Sequence, residues 1–218
     1  MLVLELERAI NEYKTLHYAD MDADNEEGTL DFCYSFHGDK PLSATWTPPR
    51  VAYFEKNEPE GDFPYFWGAD CPIFTSRALS VLGDLITPFG EFLPLSSSDG
   101  EFTAFKVLHF IDALDVERSE IKWWPQLKRE LGQPKRVEKI KRFVFHEEKL
   151  QNAVIFRIPQ LPLFEVFVTD VFVNRVQEAG LKGFLFNQVW PQPEPVISSR
   201  VARKLEARKK RHPRHKEI

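Results

Sequence analysis

The sequence predicts an α+β protein with a mixed or antiparallel central sheet and helices packed against it. Three observations carry this expectation. Residues 73–95 and 164–189 each read as a strand, a capped helix, a glycine turn and a second strand. Short apolar runs rich in Phe, Val and Ile fill the interval between them, as half-buried strands require. The composition, 43% hydrophobic and 28% charged over 218 residues, is that of a globular chain long enough to bury a core without disulfide staples.

Taken in order, Leu2, Leu6, Ala9, Ile10, Tyr13 and Leu16 recur at helical spacing, with charged residues between them, and predict an amphipathic N-terminal helix. The acidic cluster Asp20, Asp22, Asp24, Glu26 and Glu27, closed by Gly28, reads as a loop feeding a strand through Leu30, Phe32, Tyr34 and Phe36. Prolines and aromatics from Pro41 to Pro72, including Phe63-Pro64-Tyr65-Phe66-Trp67, argue against long regular elements there. The strand Ile73-Phe74 then meets Thr75 or Ser76 as a helix cap. Leu79, Leu82, Leu85 and Ile86 form the helix's apolar stripe, and Gly90 precedes a strand from Glu91 to Leu95. The second copy runs from a strand at Phe164–Val168, through Thr169 or Asp170 as cap and a helix with Phe172, Val173, Val176 and Ala179, to Gly180, Gly183 and a strand at Phe184–Val189. Thr75 and Thr169 are offset by 94, which suggests a weak internal repeat. Between the copies we expect strands at Ala104–Ile111, Lys141–His146 and Val154–Ile158, and a helix opened by Pro125 and stopped at Gly132.

One domain is expected over residues 1–190, a proline-rich linker over 191–198 and a basic helical or partly disordered tail over 199–218. The net charge of −4 hides an asymmetry. Residues 200–218 hold nine Lys/Arg against two Asp/Glu, which makes the tail +7 and the body −11. Such a body attracts basic proteins and repels polyanions. No run approaches the roughly 20 apolar residues of a membrane span, and Cys33 and Cys71 suit thiols in a reducing compartment, so a cytoplasmic location is expected.

Common catalytic signatures are missing: there is no G-x-S-x-G, phosphate-binding glycine loop, H-E-x-x-H or C-x-x-C. His109 with Asp112 and Asp115 has the residue types of an acid/base cluster, although a hydrogen-bonded structural histidine explains it as well. His146-Glu147-Glu148 offers metal-ligand types at a turn, too few for a site, and neither a metal nor a cofactor is expected. Adjacent Trp123 and Trp124 on an extended segment point to opposite sides, so one is a candidate surface anchor.

Residues 69–192 carry a further likeness. Ile73-Phe74-Thr75-Ser76, Gly90-Glu91-Phe92-Leu93-Pro94-Leu95, Lys106-Val107-Leu108-His109-Phe110-Ile111-Asp112, Phe143-Val144-Phe145-His146-Glu147-Glu148-Lys149-Leu150, Ile155-Phe156-Arg157-Ile158, Phe167-Val168-Thr169-Asp170 and Gly180-Leu181-Lys182-Gly183-Phe184 follow one another in the order of a known domain. The stretch resembles the immunity-protein domain of bacterial polymorphic toxin systems first described in myxobacteria, formerly a domain of unknown function. The resemblance implies a non-enzymatic protein of interbacterial competition that binds a cognate toxin and blocks it in the producing cell or its siblings. It transfers no catalytic residues, and residues 1–60 and the tail have no counterpart in it.

The leading expectation is toxin neutralisation by occlusion, with a partner bearing a basic surface. Asp20, Asp22, Asp24, Glu26 and Glu27 would steer association, and Trp123 or Trp124 would supply buried contact. The alternatives are a nucleic-acid accessory protein acting through the basic residues 200–216, and an enzyme built on His109, Asp112 and Asp115. Oligomeric state is left open.

Overall fold

The computed structural model describes residues 1–19, 35–54, 57–66, 71–125, 136–161 and 165–192. Its strands are β1 (Val3–Arg8), β2 (Leu16–Tyr18), β3 (Val51–Tyr53), β4 (Ile73–Thr75), β5 (Gly90–Pro94) and β6 (Phe102–Val107). They continue as β7 (Glu120–Trp123), β8 (Val137–Arg142), β9 (Ile155–Phe156), β10 (Phe167–Thr169) and β11 (Phe184–Trp190), with helices α1 (Ser76–Ile86) and α2 (Asp170–Glu178). All four sheets are antiparallel, in the orders β11-β1-β10-β9, β4-β6-β5, β2-β3 and β7-β8. This is the α+β class that the sequence predicts.

The N-terminus corrects one expectation, because residues 3–8 form a strand in place of the amphipathic helix. Period two wins over period 3.6 here. Leu4 and Leu6 enter the core while Glu5 and Glu7 take the other face, and the helical stripe would have needed Leu2 and Ile10, which are 38% and 51% exposed. β1 pairs with β10 on one side and β11 on the other, so tertiary pairing supplies backbone bonds that a short helix without a cap could not match in stability.

The two strand–helix–strand units share a plan. β6 lies between β4 and β5, antiparallel to both, and β1 lies between β10 and β11 in the same manner. This shared arrangement does not by itself establish a duplicated sequence. Thr75 caps α1 by accepting from the Ala78 amide at 3.3 Å. Thr169 holds the equivalent position at α2, but its hydroxyl donates to the Ala153 carbonyl at 2.9 Å instead of capping, so the expected second cap is corrected to a tie between β10 and the turn before β9.

Strand alternation distributes three cores. Leu4, Val168, Phe74 and Phe105 meet the apolar faces of α1 and α2 in the first. Phe156, Phe167 and Val189, on the reverse of the four-stranded sheet, meet Ile140 and Phe145 in the second. Ile73, Ala104 and Leu93, on the reverse of the three-stranded sheet, meet Leu16, Val51 and Phe36 in the third. The 7% exposed Asp62 joins the units: its carboxylate accepts from Arg77 at 2.7 Å and from the Lys182 amide at 2.8 Å.

β2 and β3 lie where no strand is expected, β7 extends the segment expected to be extended at Trp123, and β8 begins earlier than the strand expected at Lys141. The acidic cluster, Leu30 to Tyr34, the helix expected after Pro125 and the tail from 193 onward all fall outside the described residues.

Candidate functional site

The expected partner residues divide between two places. Asp20, Asp22, Asp24, Glu26 and Glu27 lie outside the described residues, whereas Trp123 and Trp124 close the first strand of the β7–β8 ribbon. Period two sorts the ribbon's side chains: Ile121 and Trp123 are half-buried, while Glu120, Lys122 and Trp124 are exposed. Trp124 is 43% exposed, and its amide donates to the Arg136 carbonyl at 3.0 Å, extending the ribbon by one residue. Lys141 pairs with Glu120 at 3.0 Å and Lys122 with Glu138 across the strands. The exposed indole therefore projects from a braced ribbon whose Ile121, Val137 and Ile140 pack into the second core.

The chain re-enters the described structure at Ser35, and two buried cations hold it there. Lys106, on β6 and 1% exposed, donates from Nζ to the Ser35 carbonyl at 2.6 Å and faces that of His37 at 3.5 Å. Arg157, 4% exposed, donates to the Phe36 carbonyl at 3.1 Å with its guanidinium 5.1 Å from the centre of the Phe110 ring. Burial pushes both groups below their ordinary pKa values, opposed by the field of Glu91 at Lys106 and of Glu165 at Arg157. Sequence reasoning passed over both as members of apolar strands. The available signal was a charge inside Phe105-Lys106-Val107 and inside Phe156-Arg157-Ile158, because a charge within a buried run needs polar partners. Both cations line a cavity with Phe36 and Cys71 that has room for about one water molecule, far short of the several hundred Å³ of a small-molecule site.

His109, Asp112 and Asp115 have separate partners. The His109 ring stacks on Phe89 at 5.0 Å, its Nδ1 is buried without a hydrogen-bond partner, and desolvation lowers its pKa from 6.5. Asp112 accepts from Gln160 at 2.8 Å. Asp115 accepts from the Arg118 amide at 3.0 Å and lies 4.0 Å from His146. The two carboxylates thus tie turns, and the imidazole packs on an aromatic ring. Among the described residues no group of three His, Cys, Asp or Glu converges as a metal site would, and no helix is long and apolar enough to cross a membrane.

A third feature lies on the four-stranded sheet. Glu5 and Glu7 of β1 and Glu165 before β10 form an acidic face, with the exposed Leu185 of β11 opposite Glu7 and Asn187 opposite Glu5. Partial burial raises the Glu5 pKa, and Glu7 and Glu165 raise it further, while a hydrogen bond from Asn187 lowers it.

No curated protein matches the chain. From the loop after β5 to the last residue of β11, which is fewer than half of the 218 residues, the sequence matches a family model, and the match takes in the Trp123–Trp124 ribbon, both buried cations and all of β11. Residues 96–190 are thereby similar to the immunity protein family Imm11.

Proposed function

We propose that the protein neutralises a bacterial toxin by binding and occluding it, with no chemistry of its own. The observation that carries this reading is the match of residues 96–190 to the Imm11 immunity protein family. The local geometry supports binding over turnover: His109 stacks on Phe89 while Asp112 and Asp115 each tie a turn, and the cavity beside Lys106 holds no more than about one water. In this reading Asp20, Asp22, Asp24, Glu26 and Glu27 steer a partner with a basic surface, and Trp124 contributes buried contact from the β7–β8 ribbon. Neutralisation takes place in the cytoplasm of the producing cell.

Co-expression with the polypeptide encoded by the neighbouring gene tests the reading. Cells making that polypeptide alone should stop growing, cells making both should survive, and the two chains should co-purify. Survival without co-purification, or turnover of a small molecule by the purified chain, would remove occlusion as the mechanism.

A further inference from the structure

β11 is an edge strand with an unusual sequence for an edge. Edge strands present a row of unpaired amides and carbonyls, and proteins normally blunt them with Lys, Pro, a bulge or a covering element. The seven residues Phe184-Leu185-Phe186-Asn187-Gln188-Val189-Trp190 contain no charge and no proline, and the register shift opposite Val3 and Leu4 confines a bulge to Val189, which leaves Phe184–Gln188 regular. The backbone geometry fixes which groups are open. The Leu6 amide donates to the Val166 carbonyl at 2.9 Å, so Leu4, Leu6 and Arg8 direct their backbone groups away from β11, while Glu5, Glu7 and Ala9 direct theirs toward it. In register with them, Leu185 and Asn187 point inward to β1, and Phe184, Phe186 and Gln188 point outward. The Asp62 amide takes the outward carbonyl of Lys182 at 2.9 Å, which closes the start of this edge. Beyond it, among the described residues, no backbone bond reaches the outer side of β11.

The geometry points to this edge as the seat of the toxin: a partner strand bearing Lys or Arg adds to the sheet alongside Phe184–Gln188. The inference rests on the toxin-binding reading and names its surface and the partner's chemistry. Main-chain pairing supplies the register, and the side chains of the added strand decide which partner fits. On the acidic face, such a strand lies about 10 Å from β1, two strand spacings, and so within about one Debye length of Glu5 and Glu7. Basic side chains reaching over Leu185 are therefore attracted. A second copy of the chain fits less well, because antiparallel pairing of two β11 edges about a two-fold axis normal to the sheet brings both sets of Glu5, Glu7 and Glu165 to the same face.

The test uses the full chain and the polypeptide encoded by the neighbouring gene. Gln188→Pro removes an outward amide and no bond to β1, and proline is tolerated at such positions. Leu185→Lys and Leu185→Glu both remove the apolar side chain and differ in the sign of the charge they place beside the edge. Hydrogen exchange at the Phe186 and Gln188 amides should slow at least tenfold on binding. Gln188→Pro and Leu185→Lys should weaken affinity at least tenfold with melting temperatures near that of the unsubstituted chain, and Leu185→Glu should bind as well or better. If the neighbour's polypeptide binds but all three variants match the unsubstituted chain and the amides stay unprotected, the edge is overturned and the toxin-binding reading stands. If Leu185→Glu loses as much as Leu185→Lys, the basic chemistry is wrong. Dimerisation of the chain alone, abolished by Gln188→Pro, would assign the edge to a second copy. Failure of the polypeptide to bind the unsubstituted chain would overturn the reading and the edge together.

Discussion

Glu5 shows how one carboxylate can serve a surface at the expense of the fold. Its pKa is raised above the ordinary 4.5 by partial burial, then by Glu7 and Glu165, so the folded chain holds this proton more tightly than the unfolded chain does. The stabilisation from the protonated form is fully present below pH 4.5 and is lost as the pH climbs through the higher folded value. Glu5→Gln should therefore raise the melting temperature at pH 7 by about 1 °C, a small gain because solvent screens this half-exposed group. The gain should vanish near pH 4, as scanning calorimetry at the two pH values would show. A lower melting temperature for Glu5→Gln at pH 7 would contradict the sign. Lys106 and Arg157 also carry charge against burial, and there backbone carbonyls replace part of the lost water.

At the scale of elements, two glycines should answer the same substitution with opposite signs. Gly90 opens β5, and a Cβ added there would stand 2.2 Å from the Lys106 carbonyl oxygen and 2.7 Å from Phe105 Cζ. Backbone oxygen cannot swing aside, so Gly90→Ala forces β5 and β6 apart. A cost of about 1–3 kcal/mol, or roughly 3–10 °C in melting temperature, is expected. Gly83 lies inside α1 with nothing within 4 Å of its missing Cβ, so Gly83→Ala should gain about 0.5–1 kcal/mol through helix propensity. Thermal melts of the two variants check both signs.

These elements also mark what was legible in the sequence. The β4–α1–β5 unit was readable because Thr75, the stripe through Leu82 and Ile86, and Gly90 all agree locally. β1 was not, since Leu6 satisfies both periods and only pairing with β10 and β11 decides between them. β2 and β3, three residues each, carry no period long enough to detect. Of the site, the contrast between Trp123 and Trp124 followed from strand alternation, and the likeness of residues 69–192 to an immunity domain agrees with the family match over 96–190. The buried cations and the open edge were illegible because each depends on which distant segment packs alongside. His109 illustrates an ambiguity of spacing: its distance in sequence from Asp112 and Asp115 resembles a site and also suits a structural histidine, and its ring faces Phe89.

On the scale of the whole molecule, charge sets the expected kinetics of association. The −11 of residues 1–199 extends beyond any one contact, so steering should show in the association rate and its salt dependence more than in dissociation. Replacing Asp20, Asp22, Asp24, Glu26 and Glu27 with Ser should slow association about tenfold at low salt, flatten its fall with ionic strength and leave dissociation nearly unchanged. Stopped-flow mixing with the neighbour's polypeptide measures all three, and unchanged association would remove those acids from the model.

The grip of Lys106 and Arg157 on residues 35–37 has a consequence for how such a protein changes over generations. Both cations hold main-chain oxygen atoms, which every amino acid carries, so the anchor is indifferent to the identity of the residues it fastens. Under the proposed toxin-binding reading, the sequence leading up to it can be rewritten against a new adversary while its mooring stays the same.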